Sequence, residues 1–143
     1  MSNVNAERNK EVVREFFQLL EKEDISALVA LFAEDGQQIN PYHSDIFPRG
    51  AKGKAGLLAY WEPVPARFDG MRFHIHELMA MEDPSSVFVR YRGEIKLQND
   101  AGVYANDYYS TFRFDDEGKI LEYVEIFNPI VAARGFGLLD KIK

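Results

Sequence analysis

Cysteine is missing from this chain, and positive charge is in short supply. With Cys at 0, the chain offers no disulfide framework, no thiolate nucleophile and no cysteine-ligated metal site. The 17 lysines and arginines are outnumbered by 23 aspartates and glutamates, which gives a formal net charge of -6. Because nucleic acids are bound by a concentrated positive face, and no basic run stands out, the sequence argues against a nucleic-acid partner.

Long apolar runs are missing as well. No stretch approaches the roughly 18 consecutive apolar residues that a membrane-spanning helix requires. The lack of cysteine suits a reducing compartment. Together these features predict a soluble cytoplasmic protein without a membrane partner.

Aromatic residues, by contrast, are abundant. The 143-residue chain contains 11 Phe, 7 Tyr and 1 Trp, and hydrophobic residues make up 46% of it. This composition is too apolar for a disordered chain, and a chain of this length buries roughly two-thirds of its unfolded surface. We therefore predict one domain over residues 1–143, with aromatic rings to spare beyond its core.

Helical periodicity dominates the first part of the chain. Apolar residues recur at helical spacing over residues 6–22, with charged residues between them, which predicts an amphipathic helix. Asp24 is a candidate N-cap for a second helix, whose apolar stripe extends to Phe32. A short strand is expected over residues 37–40, and a third helix over residues 52–62, where prolines follow.

The periodicity then changes to alternation, which is typical of strands with one solvated face. Strands are expected around residues 71–76 and 87–98, and over residues 103–114 and 119–127. Turn sequences rich in Asp, Asn and Gly separate them, so consecutive strands should pair as antiparallel hairpins. The segment 129–139 can begin a short helix at its proline.

The predicted fold class is α+β, because helices come first and a four-stranded antiparallel meander follows. A strongly curved meander sheet would form a cone wrapped around the N-terminal helices, with an internal pocket on its concave side. The sequence does not decide which parity of the 103–114 strand faces inward. Apolar residues on both faces of the last two strands also predict a second covered surface, which a homodimer would provide.

The last third of the chain carries a sharper signal in four segments: GVYANDY at 102–108, TF at 111–112, EGKI at 117–120 and EIFN at 125–128. These segments resemble the phenazine biosynthesis A/B proteins. The order of elements is similar over the whole chain to the polyketide-cyclase-like (SnoaL-like) and ketosteroid-isomerase-like branch of the nuclear-transport-factor-2-like superfamily. That superfamily hosts cyclases, isomerases, epoxide hydrolases, dehydratases and binding modules, so the resemblance implies a fold more firmly than an activity.

The resemblance implies two catalytic positions. In the phenazine proteins, a glutamate of the last strand lies in the pocket and handles protons while two cyclic amino-ketones condense, and this position corresponds to Glu125. A histidine on their third helix corresponds to Tyr60. Because tyrosine titrates at about 10, Tyr60 would donate a hydrogen bond rather than act as a general base near neutral pH.

Glu125 is also singled out by its neighbours in the sequence. It alternates with Tyr123 and Phe127 on one face of a predicted strand, and a carboxylate among aromatic rings loses hydration, which raises its pKa. Such a carboxyl group can take a proton α to a ketone and return it elsewhere. The alternative is a solvent-facing or ion-paired glutamate at a strand end.

Further residues are candidates for the pocket wall. Aromatic rings supply stacking surface and hydroxyl groups orient a polar ring, whereas an amide in an apolar strand must find partners. The alternatives are that the rings form ordinary core and that the asparagines cap turns, notably Asn128. Phe68 is one candidate ring of the wall. The predicted substrate-binding residues are Tyr42, Trp61, His76, Tyr91, Asn106, Tyr108, Ser110, Tyr123, Phe127 and Asn128.

The histidines fit a metal site poorly. His74 and His76 share one face of a predicted strand, and His43 and Asp45 would have to complete a ligand set. No third ligand has convincing spacing, so we predict no metal, and no cofactor motif is present. His76 is assigned to the substrate because nearby Leu78 indicates a less exposed face.

Two activities of related folds also fit poorly. Ser110 falls where ketosteroid isomerases carry a protonated aspartate, and phenylalanines fill the region of their tyrosine, so steroid isomerisation is not expected. Epoxide hydrolysis would need an Asp-Arg-Asp set. Asp107, Arg92 and Asp45 are available, but alternation does not force them onto one face.

The sequence therefore predicts a cofactor-free proton-transfer enzyme of the cyclase, isomerase or condensation type, acting on a small cyclic or polyketide-like ketone. Glu125 would be the acid and base, and Tyr60, Asn106 and Tyr108 would orient the ligand. One alternative is a non-catalytic small-molecule binding protein of the same fold, which the tyrosine in place of the family histidine favours. Another is a dimeric interaction module without a cavity.

Overall fold

The computed structural model describes residues 2–143, with side chains described from residue 5 onward. Its helices are α1 (Ser2–Glu21), α2 (Ile25–Ala30), α3 (Gly53–Trp61), α4 (Val64–Arg67) and α5 (Pro129–Gly135). Its strands are β1 (Phe32–Ile39), β2 (Gly50–Lys52), β3 (Phe68–Ala80), β4 (Ser86–Leu97), β5 (Val103–Phe114) and β6 (Ile120–Val124). No helix within these residues is long and apolar enough to cross a membrane.

The strands form one curved, unclosed sheet in the order β2-β1-β6-β5-β4-β3. From β3 to β6 the strands are antiparallel neighbours, as predicted, and the N-terminal helices pack on the concave face. The predicted α+β class and cone shape are confirmed. The predicted four-stranded meander is extended to six strands by β1 and β2, and β1 pairs in parallel with β6.

The start of β1 is the main departure from the predicted elements. α2 ends at Ala30, and Phe32, predicted to be helical, begins a strand and pairs with Ile120. Gly36 lies inside this strand, and a Cβ there would lie 2.7 Å from the carbonyl oxygen of Ile120. Because the two backbones approach so closely, a side chain at this position would not fit and glycine is accommodated. A glycine inside a strand is unusual, which makes β1 hard to recognise in the sequence.

The core lies between α1 and the concave face of the sheet. The Phe16 ring, which is fully buried, packs edge-on against Phe112 at 5.2 Å and Tyr123 at 5.1 Å between ring centroids. Phe112 and Tyr123 stack on each other at 4.3 Å across β5 and β6. Burying each such ring contributes roughly 1.5–3 kcal/mol, so α1 holds the sheet in its curved form.

Strand β5 alternates cleanly between its two faces. Its even-numbered residues, from Tyr104 to Phe114, are buried on the concave side. Its odd-numbered residues point outward, and Val103 and Tyr109 are 63% and 51% exposed. The parity that the sequence left open is thereby fixed, and it brings Tyr108 to the inside of the cone.

Candidate active site

A cavity of about 580 Å³ lies between the concave face of the sheet and α3, α4 and α5. Ligand pockets in proteins are commonly of this size and mostly apolar, with a few polar groups that fix orientation. The wall here follows that pattern: most of it is aliphatic or aromatic, and its polar side-chain groups are tyrosine hydroxyls, one amide, one indole N–H and two charged groups. We call this space the chamber.

Glu125 lies in the chamber wall, directly after β6. Its backbone N–H donates to the carbonyl oxygen of Ile39 at 2.9 Å, so the chain remains anchored to β1 past the end of the strand. The side chain is half-buried and points to the same side as Tyr123 and Phe127. Burial raises the pKa of its carboxyl group from 4.5 to about 7, and a hydrogen bond from Tyr123 opposes part of that rise.

A chain of tyrosine hydroxyls supports this carboxyl group. The Tyr123 hydroxyl donates to Oε2 of Glu125 at 3.2 Å, and the hydroxyl oxygens of Tyr91 and Tyr123 are 2.5 Å apart. Because the Tyr123 proton is directed to Glu125, the Tyr91 hydroxyl donates to Tyr123. Burial raises the pKa of both tyrosines well above 10, so both remain protonated donors.

Tyr60, on α3, presents a second hydroxyl to the chamber. Its oxygen accepts hydrogen bonds from Nδ2 of Asn40 at 3.0 Å and from Nε2 of Gln38 at 3.4 Å. Gln38 is held in turn by Nε1 of Trp61, which donates to Oε1 at 3.0 Å. Burial raises the pKa of Tyr60 far above its usual value, so its proton stays in place.

The direction of the Tyr60 proton follows from these contacts. Two amide N–H groups occupy the oxygen lone pairs, and no acceptor for the hydroxyl proton lies within hydrogen-bond distance in the described part of the chain. Tyr60 lines the chamber. Tyr60 is therefore a pre-oriented donor for an oxygen atom of a bound molecule.

A third polar group is formed by β5. Nδ2 of Asn106 donates to the Tyr104 hydroxyl at 2.7 Å and to the carbonyl oxygen of Asn128 at 3.0 Å. The Tyr104 and Tyr108 hydroxyls are 3.2 Å apart, and both residues line the chamber. Asn106 thus supports the tyrosine hydroxyls from behind, and its amide hydrogens are not free to reach a ligand.

The structure brings most of the predicted site residues together. The catalytic pair predicted from the sequence, Glu125 and Tyr60, shares one chamber. The predicted binding residues and the candidate ring that also line it are Trp61, Phe68, Tyr91, Tyr108, Tyr123 and Phe127.

Five predicted binding residues are placed elsewhere. Tyr42 is 52% exposed on the outside of the cone, and His76 is exposed at a bulge of the edge strand β3. Ser110 is fully buried behind the wall, where Oγ accepts from the Ile126 N–H at 3.2 Å. The side-chain amide of Asn106 is used in its hydrogen bonds to the Tyr104 hydroxyl and the Asn128 carbonyl oxygen. Asn128 is the N-cap of α5, where its side chain accepts from two backbone N–H groups, so the capping alternative describes it.

The structure also separates the residues that were considered for a metal site and for epoxide hydrolysis. His74 contacts Glu94 at 3.0 Å on the sheet exterior, and in residues 5–143 no three candidate metal ligands gather. Arg92 and Asp107 do meet, at 3.0 Å, but on the outer face of the sheet. Asp45 pairs with Arg49 in a loop. No Asp-Arg-Asp set therefore faces the chamber within the described residues.

Sequence reasoning missed four residues of the site. Asn40 was assigned to a turn, and Gln38 to a short strand of no stated role, although both are 2% exposed. Two amides that alternate in a strand before an aromatic helix are a signal for buried polar partners. Tyr104 was missed although it lies on the same face of β5 as the predicted Tyr108. Arg67 was missed because α4 was not predicted.

A curved sheet wrapped around N-terminal helices, with a ring-walled chamber, defines the cone-shaped nuclear-transport-factor-2-like class of proteins. The model of the SnoaL-like domain matches residues 13–123. The chain belongs to the SnoaL-like domain family. This confirms the resemblance identified from the sequence.

Several known proteins are similar to this chain over most of its length. The uncharacterized protein YesE of Bacillus subtilis (strain 168) is 23% identical over 131 residues, which cover 92% of this chain and 88% of YesE. A crystal structure of a proposed isomerase from Bacillus subtilis has a TM-score of 0.85 at 22% identity, covering 94% of this chain and 96% of the other. A phenazine biosynthesis-related protein from Pseudomonas aeruginosa has a TM-score of 0.78 at 23% identity, with 94% and 83% covered.

Proposed function

We propose that this protein is an enzyme that moves a proton on a small cyclic or polyketide-like ketone, in an isomerase-, cyclase- or condensation-type reaction. The observation that carries the proposal is the Glu125 carboxyl group, which lies in an apolar chamber and whose pKa is raised to about 7. A carboxyl group in this condition is populated in both protonation states near neutral pH. It can therefore act as base and as acid in one turnover.

The proposed step begins with the Glu125 carboxylate, which takes a proton from the carbon next to the ketone. The electron pair of that C–H bond moves into the carbonyl group and leaves an enolate. The Tyr60 proton, which has no other acceptor among the described residues, is donated as a hydrogen bond to the enolate oxygen. The Glu125 carboxyl group then returns its proton to the same α carbon or, where a β,γ double bond of the substrate is conjugated with the enolate, to the γ carbon with a shift of that double bond. Either return regenerates the ketone, so the step consumes no oxidant, reductant or cofactor.

The remaining polar groups of the wall have supporting roles in this proposal. Tyr123 and Tyr91 hold the carboxyl group in place. Tyr108 and Tyr104 offer a second pair of hydroxyls at which a polar ring substituent can bind. The structural neighbours include a proposed isomerase and a phenazine biosynthesis-related protein, and this class of chemistry agrees with both.

The decisive experiment measures proton exchange, because it does not require the natural substrate. A panel of cyclic ketones is incubated with the protein in D2O, and loss of the α-proton signals is followed by NMR. The wild type should accelerate exchange for at least one ring size, and Glu125→Gln should remove the acceleration. Glu122→Gln is the matched control, since Glu122 lies on β6 shortly before Glu125 and accepts a hydrogen bond from Gln37 instead.

A non-catalytic binding protein remains the second candidate, supported by the tyrosine at the position of the family histidine. It predicts that a ketone raises the melting temperature while its α-protons exchange no faster than in buffer. Equal binding by Glu125→Gln and wild type would then select binding over catalysis.

We also propose that the protein forms a homodimer through the outer face of the sheet. The support is the apolar surface there, where Tyr109 is 51% exposed and its ring lies 6.4 Å from that of Phe88. Light scattering of the wild type and of Tyr109→Glu tests this. A monomeric wild type would contradict the proposal.

A further inference from the structure

The Tyr60 hydroxyl belongs to a chain of buried polar groups whose two ends are chemically different. At one end Nε1 of Trp61 donates to Oε1 of Gln38 at 3.0 Å. At the other end Nδ2 of Asn40 donates to the carbonyl oxygen of Pro48 at 3.0 Å. An indole N–H can only donate and a carbonyl oxygen can only accept, so neither end contact can be reversed.

These two ends fix how both amides are turned. Because Oε1 of Gln38 faces the indole, its Nε2 faces the other way and donates to Oδ1 of Asn40 at 3.1 Å and to the Tyr60 hydroxyl at 3.4 Å. Nδ2 of Asn40 gives one hydrogen to Pro48 and the other to Tyr60, at 3.0 Å. Turning either amide over would bring two donors or two acceptors together away from water, since Gln38 and Asn40 are each 2% exposed.

Asn40 is the more firmly held of the two amides, because it also closes the base of the loop between β1 and β2. Its backbone N–H donates to the Arg49 carbonyl oxygen at 2.9 Å, and its carbonyl oxygen accepts from the His43 N–H at 3.2 Å. Its contact with the Tyr60 hydroxyl is also the shorter one. The main chain and the side chain of Asn40 are therefore both fixed, and the direction of the Tyr60 hydroxyl depends mainly on this residue.

We propose that Asn40 is a positioning residue, which keeps the Tyr60 proton free for the oxygen of a bound ketone by giving Tyr60 the one amide hydrogen that Pro48 leaves over. The inference rests on the proposed function, because it adds a residue to the same proton-transfer site. Both amide hydrogens of Asn40 are used within the protein. Asn40 therefore acts through Tyr60 and not on the ketone itself.

Asn40→Asp tests this role, because it keeps the shape of the side chain and replaces the NH2 group by an oxygen. A carboxylate has no hydrogen to give, and a protonated carboxyl group has one, which the Pro48 carbonyl takes. In either state the Tyr60 hydroxyl meets an acceptor and turns its proton away from the chamber. Asn9→Asp is the matched control, since Asn9 is 1% exposed and its Nδ2 donates to the Pro84 carbonyl oxygen at 3.1 Å, outside the chamber lining.

The first measurement needs no ligand and reports the direction of the hydroxyl. The Cζ carbon of tyrosine is labelled with 13C, and the Tyr60 signal is assigned by its absence in Tyr60→Phe. A hydroxyl that donates its proton gains phenolate character, so Asn40→Asp should move this signal downfield. Asn40→Leu, which removes the amide donor and adds no acceptor, should move it the same way by less. Asn9→Asp should leave it in place.

The second measurement is the rate of α-proton exchange of cyclohexanone and 1-tetralone in D2O. Asn40→Asp should slow exchange at saturating ketone roughly 100-fold, as Tyr60→Phe does, and change the apparent KM less than about threefold. Because both changes remove the same donor, combining them should slow exchange no further. Asn9→Asp should exchange these protons at the wild-type rate. An unmoved Cζ signal in both Asn40 variants, or an equal movement in Asn9→Asp, overturns the inference.

The two proposals fail in different ways. If α-proton exchange depends on Glu125 but the Tyr60 signal is the same in wild type and Asn40→Asp, the role of Asn40 is wrong and the proton-transfer function stands. If the Tyr60 signal moves as expected but no ketone exchanges its protons, Asn40 positions the hydroxyl in a chamber that binds without catalysis.

Discussion

The Tyr91 hydroxyl donates to the Tyr123 hydroxyl, and the two oxygens are only 2.5 Å apart. This contact couples a fully buried residue of β4 to the strand that leads to Glu125. Tyr123 donates to the Glu125 carboxyl group and itself accepts from Tyr91. The protonation equilibrium of Glu125 therefore depends on both tyrosines.

Replacing Tyr123 by Phe should raise the pKa of Glu125 further. The Tyr123 hydrogen bond stabilises the carboxylate, so its loss should move the midpoint of the pH–rate profile upward by about one unit. The profile is measured with the ketone exchange reaction between pH 5 and 10. Tyr109→Phe, which alters a hydroxyl on the outer face, should leave the midpoint where it is; an equal shift in both variants would contradict the role of Tyr123.

Burial of Glu125 should also appear in the pH dependence of stability. Its pKa is higher in the folded protein, about 7, than the ordinary 4.5, so between these values the folded state binds more protons than the unfolded state. The free energy of unfolding should therefore fall as the pH rises from 4.5 to about 7, and then level off.

Glu125→Gln should remove this fall and be more stable than wild type at pH 8 by about 2 kcal/mol, with water in the chamber reducing the effect. Urea unfolding at pH 5 and pH 8 measures the difference. Glu122→Gln serves as the control. A wild-type stability that is flat over this range would mean that the carboxyl group is solvated.

Tyr60→Phe should slow the exchange reaction by roughly 100-fold at saturating ketone and change the apparent KM little, because the lost donor acts on charge that develops in the transition state. The fold should persist, since Asn40 and Gln38 keep their other hydrogen bonds, to the Pro48 carbonyl and to each other. Tyr42→Phe is the matched control on the outer surface. Unchanged exchange in Tyr60→Phe would remove Tyr60 from the mechanism.

Substitutions of two glycines, Gly50 and Gly56, test the pairing of β2 with β1, the strand that contains Gln38. Gly50 has a φ of +133°, and a Cβ there would lie 2.0 Å from the Gln38 carbonyl oxygen, so Gly50→Ala should cost more than about 2 kcal/mol. Gly56 in α3 has no atom within 4 Å of such a Cβ. Gly56→Ala should instead stabilise the protein by about 0.5–1 kcal/mol. Thermal or urea unfolding measures the stability of both variants. If both substitutions destabilised the protein, or both stabilised it, the result would contradict this account.

Asn128→Ala should cost about 1 kcal/mol through the lost cap of α5 and leave ketone exchange unchanged. Chemical unfolding and the exchange assay are run on the same preparation. If exchange were lost while stability was retained, Asn128 would be a ligand-binding residue after all.

The sequence predicted most of the fold because its periodicities are strong. The strand over 103–114 has the predicted bounds, and α1 and α3 differ from prediction by a few residues. β1 was largely missed because Phe32 continues the apolar spacing of α2, so local pattern and tertiary pairing disagree there. Parallel pairing with β6, a contact over almost ninety residues, leaves no local signal.

The site was predictable where chemistry marks a residue. Glu125 stands out because a charged group among rings is rare, and a family resemblance supported it. His76 was misplaced because a bulge between Ile75 and Glu77 resets the alternation of β3, and a single sequence does not reveal a bulge. Arg67 was missed because its place in the chamber lining depends on how α4 packs.

The parallel ladder between β1 and β6 has a consequence for the evolution of such a chamber. Gln38 pairs with Tyr123, and the backbone of Glu125 is bonded to Ile39, so the supports of Tyr60 and of the acid lie on adjoining strands. Their spacing is set by main-chain hydrogen bonds, which do not depend on side-chain identity. The other helices and the outer strands that complete the wall can therefore diversify while the backbone spacing between Gln38 and Glu125 stays the same.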